Sequence, residues 1–282
     1  MRIPIDKSML KSLTLMASVI EARDAYTGGH LWRVSQYCEH LAQAAGLPPE
    51  MVFLAGLGGF LHDIGKIGIP DHILGKRGSL TAPEYEVVKT HPGIGAALVQ
   101  EHPLGGLAVP TIHQHHEWVD GRGYPNRLQG EQISIFGRLV SIADAFDALT
   151  CTRPYRRGIP AAEAVAELKA AHGTQFDREL LDTFVHMVET ECLQEVVGFC
   201  EQGIRMVNCP SCGPVIPVPR EAQDGDTVFC RICGRKNRLH RSGETFFVES
   251  TGEQGSAEEL RPRPETNSIE TFISQAPRWV EM

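Results

Sequence analysis

Residues 58–71 read GGFLHDIGKIGIPD, and this stretch governs how the rest of the chain is understood. It begins as the end of an apolar helix and runs into a segment broken by Gly65, Gly68 and Pro70. At the junction, His62 and Asp63 stand side by side, directly after residues that belong in a core. An ionisable pair placed there is costly unless a charge or hydrogen-bond partners meet it. Neighbouring side chains reach one centre only where the backbone turns, and Gly65 permits a turn.

Working outward, four more polar positions sit in apolar or glycine-rich surroundings. His30 opens a helical pattern after Thr27-Gly28-Gly29, and His91 lies in KTHPGIG. His115 and His116 stand together in HQHHEWVDGRGYP, residues 113–125, and Asp144 lies in the apolar run GRLVSIADAFDALT, residues 137–150. Singly each has a bland explanation. A buried histidine is usually satisfied by ordinary hydrogen bonds, and Asp144 could pair with Arg138. Five such positions in one chain of 282 residues, with 12 histidines in all, point instead to a shared centre.

The chain is 42% hydrophobic and 22% charged, ordinary material for one large domain plus a small one. No run approaches the roughly 18 apolar residues of a membrane span, and the N-terminus MRIPIDKSMLKSL lacks a signal peptide's apolar stretch. A cytoplasmic protein without membrane attachment is expected. The net charge of −8 argues against general nucleic-acid binding, so an anionic ligand would need a local site.

Up to about residue 200 the periodicity is helical. Leu10, Leu13, Met16, Ala17 and Ile20 define one apolar stripe, and Leu31, Val34, Tyr37, Cys38 and Leu41 a second, ended by Gly46 and Pro48-Pro49. Further helices are predicted at 50–62, 83–100, 134–150, 160–171 and 177–200. Period-2 strands appear only after residue 204. Beyond about Glu249 the Pro/Gly-rich, polar sequence predicts a disordered tail. The expected layout is therefore a domain over 1–200, a small module over 204–248 and a tail over 249–282.

Over roughly residues 14–190 the motifs HDIGKIGIPDHIL, Leu80-Thr81, KTHPGIGA, HHEWVDGRGYP, ISIFGRLVSIADAFDALT and RPYR resemble, in order, those of the HD-GYP family, metal-dependent phosphohydrolases of cyclic di-GMP. The resemblance implies an all-α HD-domain bundle. It implies His30, His62, Asp63 and Asp144 around one metal ion, and Asp63, His91, His115 and His116 around another, with Asp63 bridging. Imidazoles and carboxylates without thiolate suit iron or manganese, with zinc possible. Some relatives carry a glutamate four residues before the first histidine to help hold a third ion; here that residue is Tyr26, so two ions are expected.

Two such ions can hold a bridging hydroxide and polarise a phosphodiester. The resemblance gives Lys66 a catalytic or phosphate-contacting role beside Asp63, and places Arg153 and Arg156 against the nucleotide. Tyr124 would stack or hydrogen-bond with it. Glu117 and Asp120 would fix the loop, and Asp147 would be structural. In the family the GYP signature is also tied to contacts with diguanylate cyclases; a homodimer is left open. No N-terminal sensory domain is expected, because only about a dozen residues precede the first helix. The expected reaction takes cyclic di-GMP to pGpG and GMP. Two alternatives stay open: an HD hydrolase of another cyclic dinucleotide or nucleotide, and a catalytically silent cyclic di-GMP-binding adaptor.

Of eight cysteines, Cys209/Cys212 and Cys230/Cys233 form two CxxC pairs, each followed by glycine. Two knuckles joined by a strand-rich loop look like a zinc ribbon with one structural zinc, because four thiolates leave no open coordination position. Residues 231–241 hold five Arg/Lys and no acid, a solvated basic edge by default.

Overall fold

The computed structural model describes residues 2–21, 28–76, 78–152, 157–213, 215–243, 245–260 and 267–281. Its order is β1 (Arg2–Pro4), α1 (Lys7–Glu21), α2 (His30–Ala44), α3 (Pro49–Leu61), α4 (Asp71–Leu74), α5 (Ala82–Val88), α6 (His91–Gln100) and α7 (Val109–Gln114). Then follow α8 (Ile135–Thr150), α9 (Ala161–Ala170), α10 (Arg178–Glu189), β2 (Phe199–Glu201), β3 (Ile204–Asn208), β4 (Val215–Pro217), β5 (Thr227–Phe229), β6 (Arg235–Ser242), β7 (Thr245–Gln254), α11 (Asn267–Gln275) and β8 (Trp279–Glu281).

Two apolar cores hold the bundle. One lies between α2, α8, α9 and α10, where Tyr37, Phe146 and Phe184 meet edge to face with ring centroids 5.0–6.1 Å apart. Such geometry aligns positive ring edges with negative faces. The other lies between α1, α3, α7 and α11 and includes Leu10, Leu13, Leu57, Leu61, Ile112 and Phe272. Helix α3 is buried continuously from Phe53 to Leu61, so it runs through the interior and delivers its last residues deep inside. The stripe expected on α2 is buried in full, whereas on α1 Met16 is 36% exposed and Thr14 takes an inward position.

Several boundaries differ from the sequence expectation. The predicted helix 83–100 is two, α5 and α6, separated at Lys89-Thr90. Pro92 lacks an N–H, so it suits the first turn of a new helix rather than the interior of a long one. Helix α10 stops at Glu189, eleven residues early, and α4 and α7 were not anticipated. Strands β1 and β2 precede residue 204.

Beyond the bundle, β2–β3–β4 and β5–β6–β7 form two antiparallel three-stranded sheets around a third, small core of Val207, Ile216, Val218, Val228 and Leu239. The disordered tail is corrected for the described residues. Strand β7 continues to Gln254, α11 docks on the bundle, and β8 pairs antiparallel with β1. Phe272 stacks on Phe53 and Phe60 at 5.3 and 6.0 Å between centroids. The reason is local: Ile269, Phe272 and Ile273 fall at i, i+3 and i+4 and form one apolar face, within a region whose average composition is polar.

Candidate metal centre

His62 and Asp63 leave the buried end of α3 and enter a 3-10 turn at Ile64–Gly68. Gly65 is needed there for room. A Cβ at this position would lie 1.9 Å from the His91 carbonyl oxygen and 2.5 Å from the Gly95 amide nitrogen, both backbone atoms of α6. The missing side chain thus lets α6 bring its first residue, His91, against the His62-Asp63 turn. His30 opens α2, His115 and His116 follow α7, and Asp144 projects from the middle of α8.

These elements bring all seven residues together. His30, His62 and Asp144 offer ligand atoms within 4.8 Å of one another, as do His91, His115 and His116. Asp63 stands between the groups. Its Oδ2 lies 3.4 Å from Nε2 of both His30 and His62, and its Oδ1 lies 3.4 Å from Nε2 of His91. Asp144 Oδ1 is 3.5 Å from His30 Nε2 and 3.7 Å from His62 Nε2. Arg138, the alternative partner for Asp144, instead binds Asp177 at 2.6 Å.

The donor set fits cations. Nδ1 of His62, His91 and His115 donates to the backbone carbonyls of Gly59, Val88 and Ile112 at 2.7–2.8 Å, and His30 Nδ1 donates to Asp147 at 2.8 Å. A carbonyl only accepts, so Nδ1 of His62, His91 and His115 carries a proton, and whenever such a ring is neutral its Nε2 carries a lone pair. Yet Nε2 of His30 faces Nε2 of His62 at 3.3 Å, and Nε2 of His91 faces that of His115 at 3.2 Å. Lone pairs converging in a buried space repel unless a positive charge lies among them.

Electrostatics separate the two groups. Burial lowers the His116 imidazole, reinforced by His91, to about 3, and burial with its imidazole neighbours holds His115 well below the ordinary value. That trio is neutral and ready to ligate. His62 is also depressed by burial, but the Asp63 and Asp144 carboxylates outweigh this and raise it to about 10. Asp63 is raised by burial yet held well below the carboxylate range by Lys66 and His62. The first group therefore demands positive charge, which a divalent cation satisfies.

Lys66 Nζ lies 2.5 Å from Asp63 Oδ2. The Tyr124 ring stacks on His116, centroids 4.8 Å apart, and its amide donates to the His116 carbonyl at 3.1 Å. Glu117 is 2% exposed and pins the GYP loop by accepting from the Asn126 and Leu128 amides at 2.6 and 3.0 Å. Asp120 binds Arg122 at the surface, and His113 faces Asn126 away from the cluster. Tyr26, Arg153 and Arg156 lie outside the described residues.

Sequence reasoning passed over Arg33, the partner of Asp147, which was expected to be structural. Both are fully buried; Arg33 Nε and Nη2 donate to the Asp147 carboxylate at 2.5 and 3.0 Å, and Asp147 in turn holds His30 Nδ1. Asp144 and Asp147 lie one turn apart on the same face of α8 and meet opposite sides of one ring, Asp144 on the Nε2 side of His30 and Asp147 at its Nδ1. That D-x-x-D spacing was the available signal. Outer partners of this kind fix ring orientation and tautomer.

In the C-terminal module the four sulfurs of Cys209, Cys212, Cys230 and Cys233 also lie within 4.8 Å of one another. Cys209–Cys233 and Cys212–Cys230 are 3.7 and 3.5 Å apart, far beyond the ~2.05 Å of a disulfide. Those spacings are close to the ~3.8 Å edge of a tetrahedron with metal–sulfur bonds of about 2.3 Å.

Comparison with known proteins adds the family. Residues 14–180 match the HD domain. A cyclic di-GMP phosphodiesterase of Pseudomonas aeruginosa is 39% identical over 187 residues, covering 65% of this chain and 45% of that protein. A 3'3'-cGAMP-specific phosphodiesterase of Vibrio cholerae is 40% identical over 169 residues, covering 59% of this chain and 32% of its own. This chain thus spans less than half the length of these relatives. A solved Vibrio cholerae structure of a cyclic GMP-AMP phosphodiesterase shares the fold, with a TM-score of 0.50 at 22% identity over 65% of this chain and 50% of that one. Among the described residues no helix is long and apolar enough to cross a membrane. With the family match spanning the bundle and every histidine of the cluster, the chain belongs to the HD domain family.

Proposed function

We propose that this protein is a metal-dependent phosphodiesterase that hydrolyses cyclic di-GMP to pGpG and then GMP. The observation that carries the reading is the placement of Asp63, whose two oxygens face two separate ligand groups. A pair of divalent cations held there, iron or manganese by donor type, would activate water and neutralise developing charge on phosphorus. The protein's own part is positional. Three neutral imidazoles hold one side, His30, His62 and Asp144 the other, and Asp63 fixes the spacing between them. Lys66, partly exposed beside Asp63, would move from that carboxylate to a phosphate oxygen. Next to His116, Tyr85, Trp118, Tyr124, Lys89 and Arg122 line a cleft of ≈ 480 Å³. Aromatic faces with nearby cations suit a nucleobase and its phosphate.

The relatives named as 3'3'-cGAMP-specific support a second reading in which the substrate is a mixed cyclic dinucleotide. Four thiolates in the C-terminal module would hold one structural zinc in a ribbon. A diguanylate cyclase partner at the GYP loop remains part of this proposal. The test is direct: manganese- or iron-loaded protein is incubated with cyclic di-GMP, 3'3'-cGAMP and cyclic di-AMP, and products are followed. Linear pGpG and GMP from the first are expected. Absence of turnover with all three, in protein of normal metal content, would remove the enzyme reading and favour a binding adaptor.

A further inference from the structure

We propose that the cysteine module is a working part of the metal centre: its β2–β3 hairpin positions His30, so that a metal held by four cysteines sets how tightly the first group binds its cation. The proposal rests on the reading of His30, His62 and Asp144 as a cation site.

The connection runs through Arg33. One edge of its guanidinium holds Asp147, which holds His30 Nδ1. Its remaining nitrogen, Nη1, donates to the Phe199 carbonyl of β2 at 2.9 Å and to the Gly28 carbonyl at 3.1 Å, and lies 3.4 Å from Met206 Sδ on β3. Arg33 is 1% exposed, so no bulk water replaces an acceptor that leaves. A buried charge that loses a partner pulls its other partners with it or leaves them unsatisfied.

Two further contacts lock the hairpin to the same place. Gly29, immediately before His30, has φ +76°, and a Cβ there would lie 2.2 Å from Cys200 Cα, so β2 runs directly against the first turn of α2. Asn208 Nδ2 donates to Thr152 Oγ1 at 2.9 Å, tying the end of β3 to the segment just past α8. Asn208 is followed at once by Cys209, the first of the four sulfurs.

The module's own means of holding shape are slight. Its core consists of seven buried residues, and two of them are Cys209 and Cys230. A core this small needs a metal or cross-link to persist. Loss of the thiolate-bound metal should therefore free β3, withdraw the Phe199 carbonyl from Arg33 and let Asp147 and His30 shift. The trio His91, His115 and His116 has no part in this chain of contacts; His91 and His115 take their Nδ1 anchors from the backbone of α5 and α7.

The test uses the full chain carrying Cys209→Ser with Cys230→Ser, and separately Arg33→Lys, which keeps a charge for Asp147 but cannot fork to Phe199. Zinc and manganese per chain and manganese dissociation constants are measured, with circular dichroism as the control on folding. Wild type is expected to hold about two manganese and one zinc. The cysteine variant should lose zinc and weaken one manganese by roughly 10–100-fold while the other is unchanged. Arg33→Lys should weaken the same single manganese with zinc retained. Two manganese at wild-type affinity in a zinc-free, helical protein would overturn the proposal. So would loss of both together, which means general destabilisation. Wild type binding no manganese would instead overturn the reading of the centre on which the proposal stands.

Discussion

Replacing Asp147 with asparagine tests how the centre is held. The carboxylate is fully buried and accepts four bonds: Oδ1 from Arg33 Nε and, at 3.6 Å, from Cys151 Sγ, and Oδ2 from both Arg33 Nη2 and His30 Nδ1. Asparagine keeps the shape but turns one oxygen into a donor. If the amide nitrogen faces Arg33, two buried donors meet. If it faces His30, the imidazole must accept at Nδ1 and carry its proton on Nε2, the atom aimed at the cation group. Either way Arg33 keeps its charge without its counter-charge. Removing one partner of a buried ion pair costs about 3–5 kcal/mol. Arg33 retains the Gly28 and Phe199 carbonyls, so the low end, about 3 kcal/mol, is expected. That corresponds to a fall of roughly 6–12 °C in the metal-free melting temperature. A separate loss of about 10–100-fold is expected in affinity for one manganese of two.

The pH dependence has a definite sign. Burial raises Asp147, but Arg33 and His30 more than offset this and hold it below the ordinary carboxylate value. A depressed carboxyl stabilises above its unfolded pKa of about 3.9 and loses that contribution as pH falls through the folded value. The stability gap between wild type and variant should be full at pH 6–7 and narrow below about pH 4. Melting curves and manganese titration calorimetry measure both effects. An unchanged melting temperature together with both manganese affinities within twofold of wild type would refute the reasoning.

Other outcomes follow from the same geometry. Gly65→Ala puts a methyl group into the α6 backbone; it should separate His91 from Asp63 and lower manganese stoichiometry from about two to about one, and retained stoichiometry would count against the close-approach reading. Glu39 is raised by burial to about 7, so ionising it opposes folding and the folded state loses stability as pH climbs from about 4.5 through 7. Glu39→Gln should therefore stabilise by of order 1–3 kcal/mol at pH 8 and by little at pH 4, measured by denaturant midpoints at both pH values. Phe272→Ala empties the pocket on Phe53 and Phe60 and should cost about 3–5 kcal/mol. It should also expose α11 to limited proteolysis, and a tail as resistant as wild type would show that the helix is not held by that ring.

Local pattern determined a good deal here. The helical stripes of α1 and α2, the His-Asp junction at the end of an apolar helix, the paired CxxC knuckles and the spacing of the GYP loop are all short-range features, and each is visible within a dozen residues. The histidines stood out because polar side chains in apolar or glycine-rich surroundings need a reason, and the resemblance of the surrounding motifs to a known family named them as ligands. What the sequence could not settle was which of several polar neighbours faces which partner. Asp144 and Asp147 look alike one turn apart, yet their opposite roles depend on α2 bringing His30 and Arg33 against α8. Arg138 was the arginine the sequence offered to an aspartate of α8, yet packing gives it to Asp177 and places Arg33 against Asp147. The split between α5 and α6 and the docking of α11 likewise hinge on contacts with residues far away in sequence. Gly65 shows the distinction most plainly: its place in a turn was legible, but its need to be glycine comes from the α6 backbone 1.9 Å from where its Cβ would stand. Close approach between distant segments is a property of the folded chain, and no local periodicity encodes it.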